Sequence, residues 1–231
     1  MKNMSSHFLL SPVRKNSIGF LIAIGLLAIG SESQAQWKPR IELKQGDRIC
    51  YVGNTLADRM QHYPWLETYL SRLHPEHNLT FRNLGFSADE LKTRPRSANF
   101  GSADQWLTKC GADVVFCFFG YNEALKGEAG LPQFKKDLAE VIDQMRAQQY
   151  NGKSAPRLVF FSPIAHENLE SPHLPDGKEN NKNLAAYTDA MKTVCAEKMV
   201  PFVNLFSISQ DLYDQSPDAL TMNGIHLTED G

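Results

Sequence analysis

The chain has 231 residues, 42% of them apolar and 22% charged, which is material for about one soluble α/β domain. Its formal charge is −2 and it has no Lys/Arg run with interleaved aromatics, so a non-specific nucleic-acid binder, which needs a basic face, is disfavoured. Four cysteines without a CxxC or Cys/His spacing, and no glycine-rich phosphate loop, imply neither a metal nor a cofactor.

The first element is an export signal. Arg14 and Lys15 precede an apolar run at residues 18–30, and "SESQAQ" follows. Ser33 and Ala35 meet the small-x-small rule, so the cut is expected after Ala35. The run is shorter than the roughly 20 residues that span a bilayer. An uncleaved anchor is the competing reading. No Cys follows the cut to carry a lipid, and no later segment is apolar enough to span. Residues 1–35 are thus expected to be removed, leaving one secreted or periplasmic domain, 36–231, with no membrane contact.

"RICYVG" at residues 48–53 predicts a first strand. A helix is expected from about Pro64, with Leu66, Tyr69, Leu70 and Leu73 at helical spacing. Just past it, His74-Pro75-Glu76-His77 has the look of a metal pair, but with no third ligand it reads as a solvated turn. Residues 79–85 predict a second strand, and 102–110 a helix capped by Ser102. The near-continuous apolar run at 112–120 has the pattern of a central parallel strand. A helix over 131–150 carries Phe134, Leu138, Val141, Ile142 and Met145 on one stripe and ends at Asn151-Gly152. Residues 157–163 predict a fourth strand, 164–179 a long polar loop, 181–199 a helix and 200–205 a fifth strand. Cys50 and Cys117 fall in strand patterns and Cys195 in a helix pattern. With Cys110 they are expected to be free thiols, one disulfide being the alternative. Alternating strands and helices imply a parallel five-stranded sheet in a three-layer α/β/α domain.

Ligands of open α/β sheets bind beyond the carboxyl ends of the strands. Those ends carry Gly53-Asn54-Thr55, Asn83-Leu84-Gly85 and Gly120-Tyr121-Asn122-Glu123, and Asn223-Gly224-Ile225-His226 lies near the C-terminus. Together they offer a hydroxyl, exposed N–H groups, an amide and an imidazole, the parts of an acyl-transfer site. A residue three before the histidine is placed to orient its ring.

These four blocks, in this order, resemble those of the SGNH hydrolases, also called GDSL esterases or lipases, over about residues 46–231. The resemblance implies a flavodoxin-like sheet and a Ser nucleophile in the first block. It implies oxyanion donors from the first three blocks and an Asp-x-x-His base in the last. Carried over by position, Thr55 is the nucleophile, and Thr55 N–H, Gly85 N–H and the Asn122 amide are the oxyanion donors. His226 is the base and Asn223 its orienting partner. Two positions depart from the pattern. Thr55 replaces Ser, adding a methyl that restricts χ1. Asn223 replaces Asp, removing the charge that fixes the His tautomer, a change worth about 10⁴ in turnover in a serine protease.

Glu123 is expected to brace a loop and Asp58 to cap or face solvent. Ser87 is a poor substitute hydroxyl, and His166, beyond the fourth strand, is a candidate substrate contact. The closing "HLTEDG" has the pattern of a helix entry with Thr228 as cap, and the resemblance implies a closing C-terminal helix, so truncation there is expected or one sheet face is left partly bare. The expected activity is hydrolysis of O-acyl esters, such as acetyl esters, of a small molecule or carbohydrate. The alternative is a non-catalytic ligand- or carbohydrate-binding module on the same fold.

Overall fold

The run VVFCF, Val114–Phe118, is buried at every residue, as a strand covered on both faces must be. The computed structural model describes residues 40–96 and 98–231, so the segment read as an export signal lies outside the described residues. The strands are β1 (Arg48–Gly53), β2 (Thr80–Asn83), β3 (Val114–Phe118), β4 (Arg157–Phe161) and β5 (Phe202–Val203). They pair in parallel in the order β2-β1-β3-β4-β5. The helices are α1 (Thr55–Arg59), α2 (Trp65–Leu73), α3 (Ala103–Cys110), α4 (Tyr121–Ala124), α5 (Leu131–Arg146), α6 (Lys178–Glu197) and α7 (Leu205–Gln215).

Strand residues alternate between two cores, which makes the three layers. Cys50 and Val52 of β1 and Val115 and Cys117 of β3 pack with Leu107 of α3, Leu138 and Ile142 of α5, and Leu184 and Met191 of α6. Ile49, Tyr51, Val114, Phe116 and Phe118 face the other way, onto Ala57 of α1 and the partly buried Leu66 and Leu70 of α2. None of the four cysteines is paired. Burial pushes the Cys50 and Cys195 thiols up to about 12 and Cys117 higher still, so they are inert packing groups at neutral pH.

Some boundaries differ from the sequence pattern. α5 stops at Arg146, because residues 147–150 turn inward and bury Tyr150, whose hydroxyl donates to Asp104 of α3. β5 is only two residues long, because Asn204 ends it by capping α7: its Oδ1 accepts the Ser207 N–H at 3.0 Å. α7 itself has no counterpart in the expected elements. The helix entry expected at Thr228 is not formed. Thr221 and Leu227 make an antiparallel bridge instead, and the Leu220 carbonyl accepts both the Thr228 N–H, at 3.0 Å, and its hydroxyl, at 3.2 Å.

Candidate active site

The turn from β1 into α1 is built on backbone that only glycine tolerates. Gly53 has φ +139, and a Cβ there would collide with the Phe118 carbonyl. Asn54 is 5% exposed. Its N–H donates to Phe118 O at 3.0 Å and its Oδ1 caps α1 by accepting the Leu56 N–H at 3.1 Å. Thr55 is therefore the first residue of a helix, where a backbone N–H has no intrahelical acceptor and is left for a ligand.

Thr55, Leu56, Asn122, Ile225 and His226 line one space of about 120 Å³ at the carboxyl edge of the sheet. Asn122 enters it from α4, with one Nδ2 hydrogen donated to the Asp89 carbonyl at 3.2 Å and the other left over. Glu123 braces this turn: its carboxylate accepts the Gly120 and Leu91 N–H groups, each at 2.9 Å. Burial raises its pKa, against the pull of those two N–H donors. Gly85 is not in this space. It presses on α1, where a Cβ would lie 2.6 Å from Ala57 Cβ, and it lines the neighbouring cleft. Its N–H donates to Asn83 Oδ1 at 2.9 Å, so that donor is already engaged.

His226 sits in a loop without helix or strand. Asn223 Oδ1 accepts the His226 N–H at 3.1 Å and the Ile225 N–H at 3.4 Å, and Asn223 Nδ2 lies 3.0 Å from His226 Nδ1. The GDSL-like lipase/acylhydrolase family matches residues 46–231. The chain belongs to that family. No curated protein matches it in sequence. Among solved structures, an acetylxylan esterase from Geobacillus stearothermophilus aligns with TM-score 0.61 at 13% identity, over 82% of this chain and 90% of that one. A gut microbial diltiazem-metabolizing enzyme aligns with TM-score 0.60 at 17% identity, over 82% of this chain and 45% of that one. An α/β hydrolase from the metagenome of Lake Arreo, Spain, aligns with TM-score 0.57 at 15% identity, over 80% and 89%. At these identities the neighbours share the fold; the family assignment is what makes this an ester-hydrolase scaffold.

Within that GDSL-type scaffold the hydrogen-bond network assigns the Asn223 amide. Its oxygen takes two backbone N–H groups, so its NH₂ must face His226 Nδ1. Nδ1 then accepts, and the ring proton stays on Nε2. A general base needs the opposite tautomer, with the Nε2 lone pair free. Burial lowers the His226 pKa, and the nearby Arg59 charge lowers it further, so the ring is neutral at neutral pH and its imidazolium is disfavoured.

His166 does not line the small pocket. It is 8% exposed and packed against Gly177 and Gly224, where a Cβ at either glycine would meet its ring. Its Nδ1 lies 3.1 Å from Asn180 Nδ2, and its buried Nε2 has no partner. Burial lowers its pKa, against the Asp176 charge. Ser87 is exposed, and its Oγ donates to Asp58 Oδ2 at 2.8 Å. Glu167, which the sequence pattern did not single out, holds the loop carrying Asn223 and His226. It is 7% exposed, accepts the Leu220 N–H at 3.0 Å and the Thr221 N–H at 2.7 Å, and gives its own N–H to Gly224 O at 2.8 Å. A carboxylate just after the fourth strand run was the only sequence signal. Among the described residues no group of three His, Cys, Asp or Glu is placed to hold a metal ion.

Proposed function

We propose that the protein is an exported ester hydrolase that removes short acyl groups, acetyl above all, from carbohydrate, and that its turnover is slow. The observation that carries this reading is that Thr55, Asn122 and His226 line one small pocket. A space of about 120 Å³ is well below the 300–1,000 Å³ of drug-sized sites and suits a short acyl group. The carbohydrate part takes support from the acetylxylan esterase among the neighbours, and export from the N-terminal sequence.

In this mechanism the Thr55 hydroxyl attacks the ester carbonyl while His226 Nε2 takes its proton. The Thr55 N–H and the free Asn122 N–H hold the oxyanion. His226 returns the proton to the leaving alcohol, and water then releases the acyl group from Thr55 by the same steps in reverse. Two features slow it. The Thr methyl restricts χ1. The ring must also move its proton from Nε2 to Nδ1 before it acts as a base, and Asn223 lends no charge to the imidazolium. By analogy with the serine-protease case, the second feature costs about 10⁴ in turnover.

The test is hydrolysis of p-nitrophenyl acetate by the purified protein and by His226→Ala. A slow wild-type rate that drops by about 10²–10⁴ in the variant is expected. An unchanged rate would mean the hydrolysis arises elsewhere, and the reading fails. The second reading, a non-catalytic carbohydrate-binding module, is favoured by the Asn223–His226 hydrogen bond, which makes the ring a donor toward the pocket. It predicts an inert protein that still binds an acetylated oligosaccharide.

A further inference from the structure

Beside the small pocket lies a cleft of about 550 Å³, lined by Phe86, Phe100 and Trp106 and by Lys92, Arg94 and Arg96. Phe86 and Phe100 are each 45% exposed, and the Phe100 and Trp106 rings sit 5.5 Å apart, tilted by 39°, so the wall is an aromatic platform that stays partly open, with Arg96 over Phe86 and Phe100 and Lys109 over Trp106. Its charge is of one sign: no carboxylate is among the described residues lining it.

The arginines are built in rather than loose. Asp89, with a fully buried side chain, takes Arg96 on both oxygens, at 2.6 and 2.8 Å, and Arg94 on one, at 3.1 Å. One carboxylate therefore fixes two guanidiniums and leaves a net positive charge. Each guanidinium has five donors, and three of the ten go to Asp89. The Arg94 and Arg96 side chains stay 25% and 14% exposed toward the cleft. Arg96 also stacks 3.9 Å over Phe86, which holds the fork flat against the platform.

The cleft adjoins the small pocket along one seam. Gly85 lines the cleft, the Phe86 N–H donates to Gly53 O at 2.9 Å, and the Asp89 carbonyl holds the Asn122 amide. We propose that this cleft is the subsite for the alcohol part of the substrate and that it takes an acidic sugar. The apolar face of the ring packs in the angle between Phe100 and Trp106, whose planes are tilted by 39°, and its carboxylate meets Arg94 and Arg96. The role as a substrate subsite rests on the esterase reading; the ligand chemistry rests on the cleft alone. A ring with an apolar face and one carboxylate is what aromatic walls and paired guanidiniums recognise together.

Calorimetric titration tests this with trigalacturonate, with neutral xylotriose and with phenylacetate as probes. The acidic trisaccharide is expected to bind at least about ten-fold more tightly than the neutral one, with the preference falling as salt rises. Arg94→Gln, which keeps a donor for Asp89, should erase that preference. Phe100→Ala, which leaves the Asp89 pairs to Arg94 and Arg96 in place although Arg96 also lies 5.4 Å over its ring, should weaken trigalacturonate by about ten-fold. Equal binding of the two saccharides, a preference that survives Arg94→Gln, or tight binding of phenylacetate alone would each overturn the proposal. Binding is read separately from turnover. An acid preference without ester hydrolysis sinks the esterase reading and keeps the cleft, while hydrolysis without an acid preference does the reverse.

Discussion

The loop after β4 and the loop after α7 each carry a histidine whose Nδ1 faces an asparagine amide, Asn180 at 3.1 Å in the first and Asn223 at 3.0 Å in the second. Both rings are pulled below their ordinary pKa, chiefly by burial. They differ in what surrounds Nε2. In His166 it is buried without a partner, against Gly224. In His226 the ring lines the pocket beside Thr55. An amide clamp that puts the proton on Nε2 leaves His166 with a buried N–H unpaired, a cost of about 1–3 kcal/mol, and on the esterase reading it leaves His226 holding the proton it should accept. The difference between the two loops is thus one of exposure, while on the esterase reading the flaw in the second lies in a single atom of Asn223.

The largest expected effect comes from removing that flaw. Asn223→Asp should accept Nδ1–H, free the Nε2 lone pair and stabilise the imidazolium. Combined with Thr55→Ser, it should raise p-nitrophenyl acetate turnover by about 10²–10⁴, more than either single change, and not additively, because both act through His226. The check is steady-state rates for the four proteins, with folding followed by circular dichroism. Four well-folded but inert proteins would favour the binding-module reading.

The second prediction concerns how one loop leans on the other. Gly224 has φ +88 and touches His166, so Gly224→Ala should cost about 2–4 kcal/mol through the left-handed backbone and overpacking, read as a lower denaturation midpoint. Gly152 also has a positive φ, +72, but a Cβ there meets nothing within 4 Å, so Gly152→Ala should keep only the smaller backbone part. Equal losses would mean that His166 does not brace the loop carrying Asn223 and His226.

The smallest effect is pH dependence. Both rings titrate below about 6.5 when folded. As pH falls below that value the unfolded chain takes up protons that the native state does not, so stability is full above it and is lost on going down. Urea midpoints should therefore fall between about pH 7 and pH 5. His166→Gln should flatten part of that slope; an unchanged slope would mean that His166 is not one of the groups responsible.

The strands and the longer helices are legible in the sequence because burial leaves a pattern: "VVFCF" reads as a strand covered on both faces, and Leu138, Val141, Ile142 and Met145 as one helical stripe. α7 is absent from the expected elements, although the Asn204 cap and the helical spacing of Leu205, Ile208 and Leu212 both signal it. At the candidate site, the strand-end rule and the family resemblance together point to Thr55, Asn122 and His226, which line one pocket. Spacing could not anticipate that Asn83 would engage the Gly85 N–H, because that bond depends on a side chain folding back on its own turn. Nor could spacing anticipate the Glu167 clamp on the loop carrying Asn223 and His226, whose partners lie 53 and 54 residues away. His166 stands at the right height after β4, but its neighbours Gly177 and Gly224 come from distant segments that turn it inward.

Gly53 and Gly85 are required by the close approach of β1 to the Phe118 carbonyl and of the turn after β2 to α1, whatever happens in the pocket. A descendant of this chain that lost all catalysis would still need both glycines to keep its sheet, while positions 55 and 223 would be released to drift. The features that make the family recognisable are thus records of mechanical fit, and they outlast the reaction. Sorting active from silent members of such a family would therefore turn on residues 55 and 223, the hydroxyl and the hydrogen-bond partner of His226, and not on the spaced glycines by which the members are found.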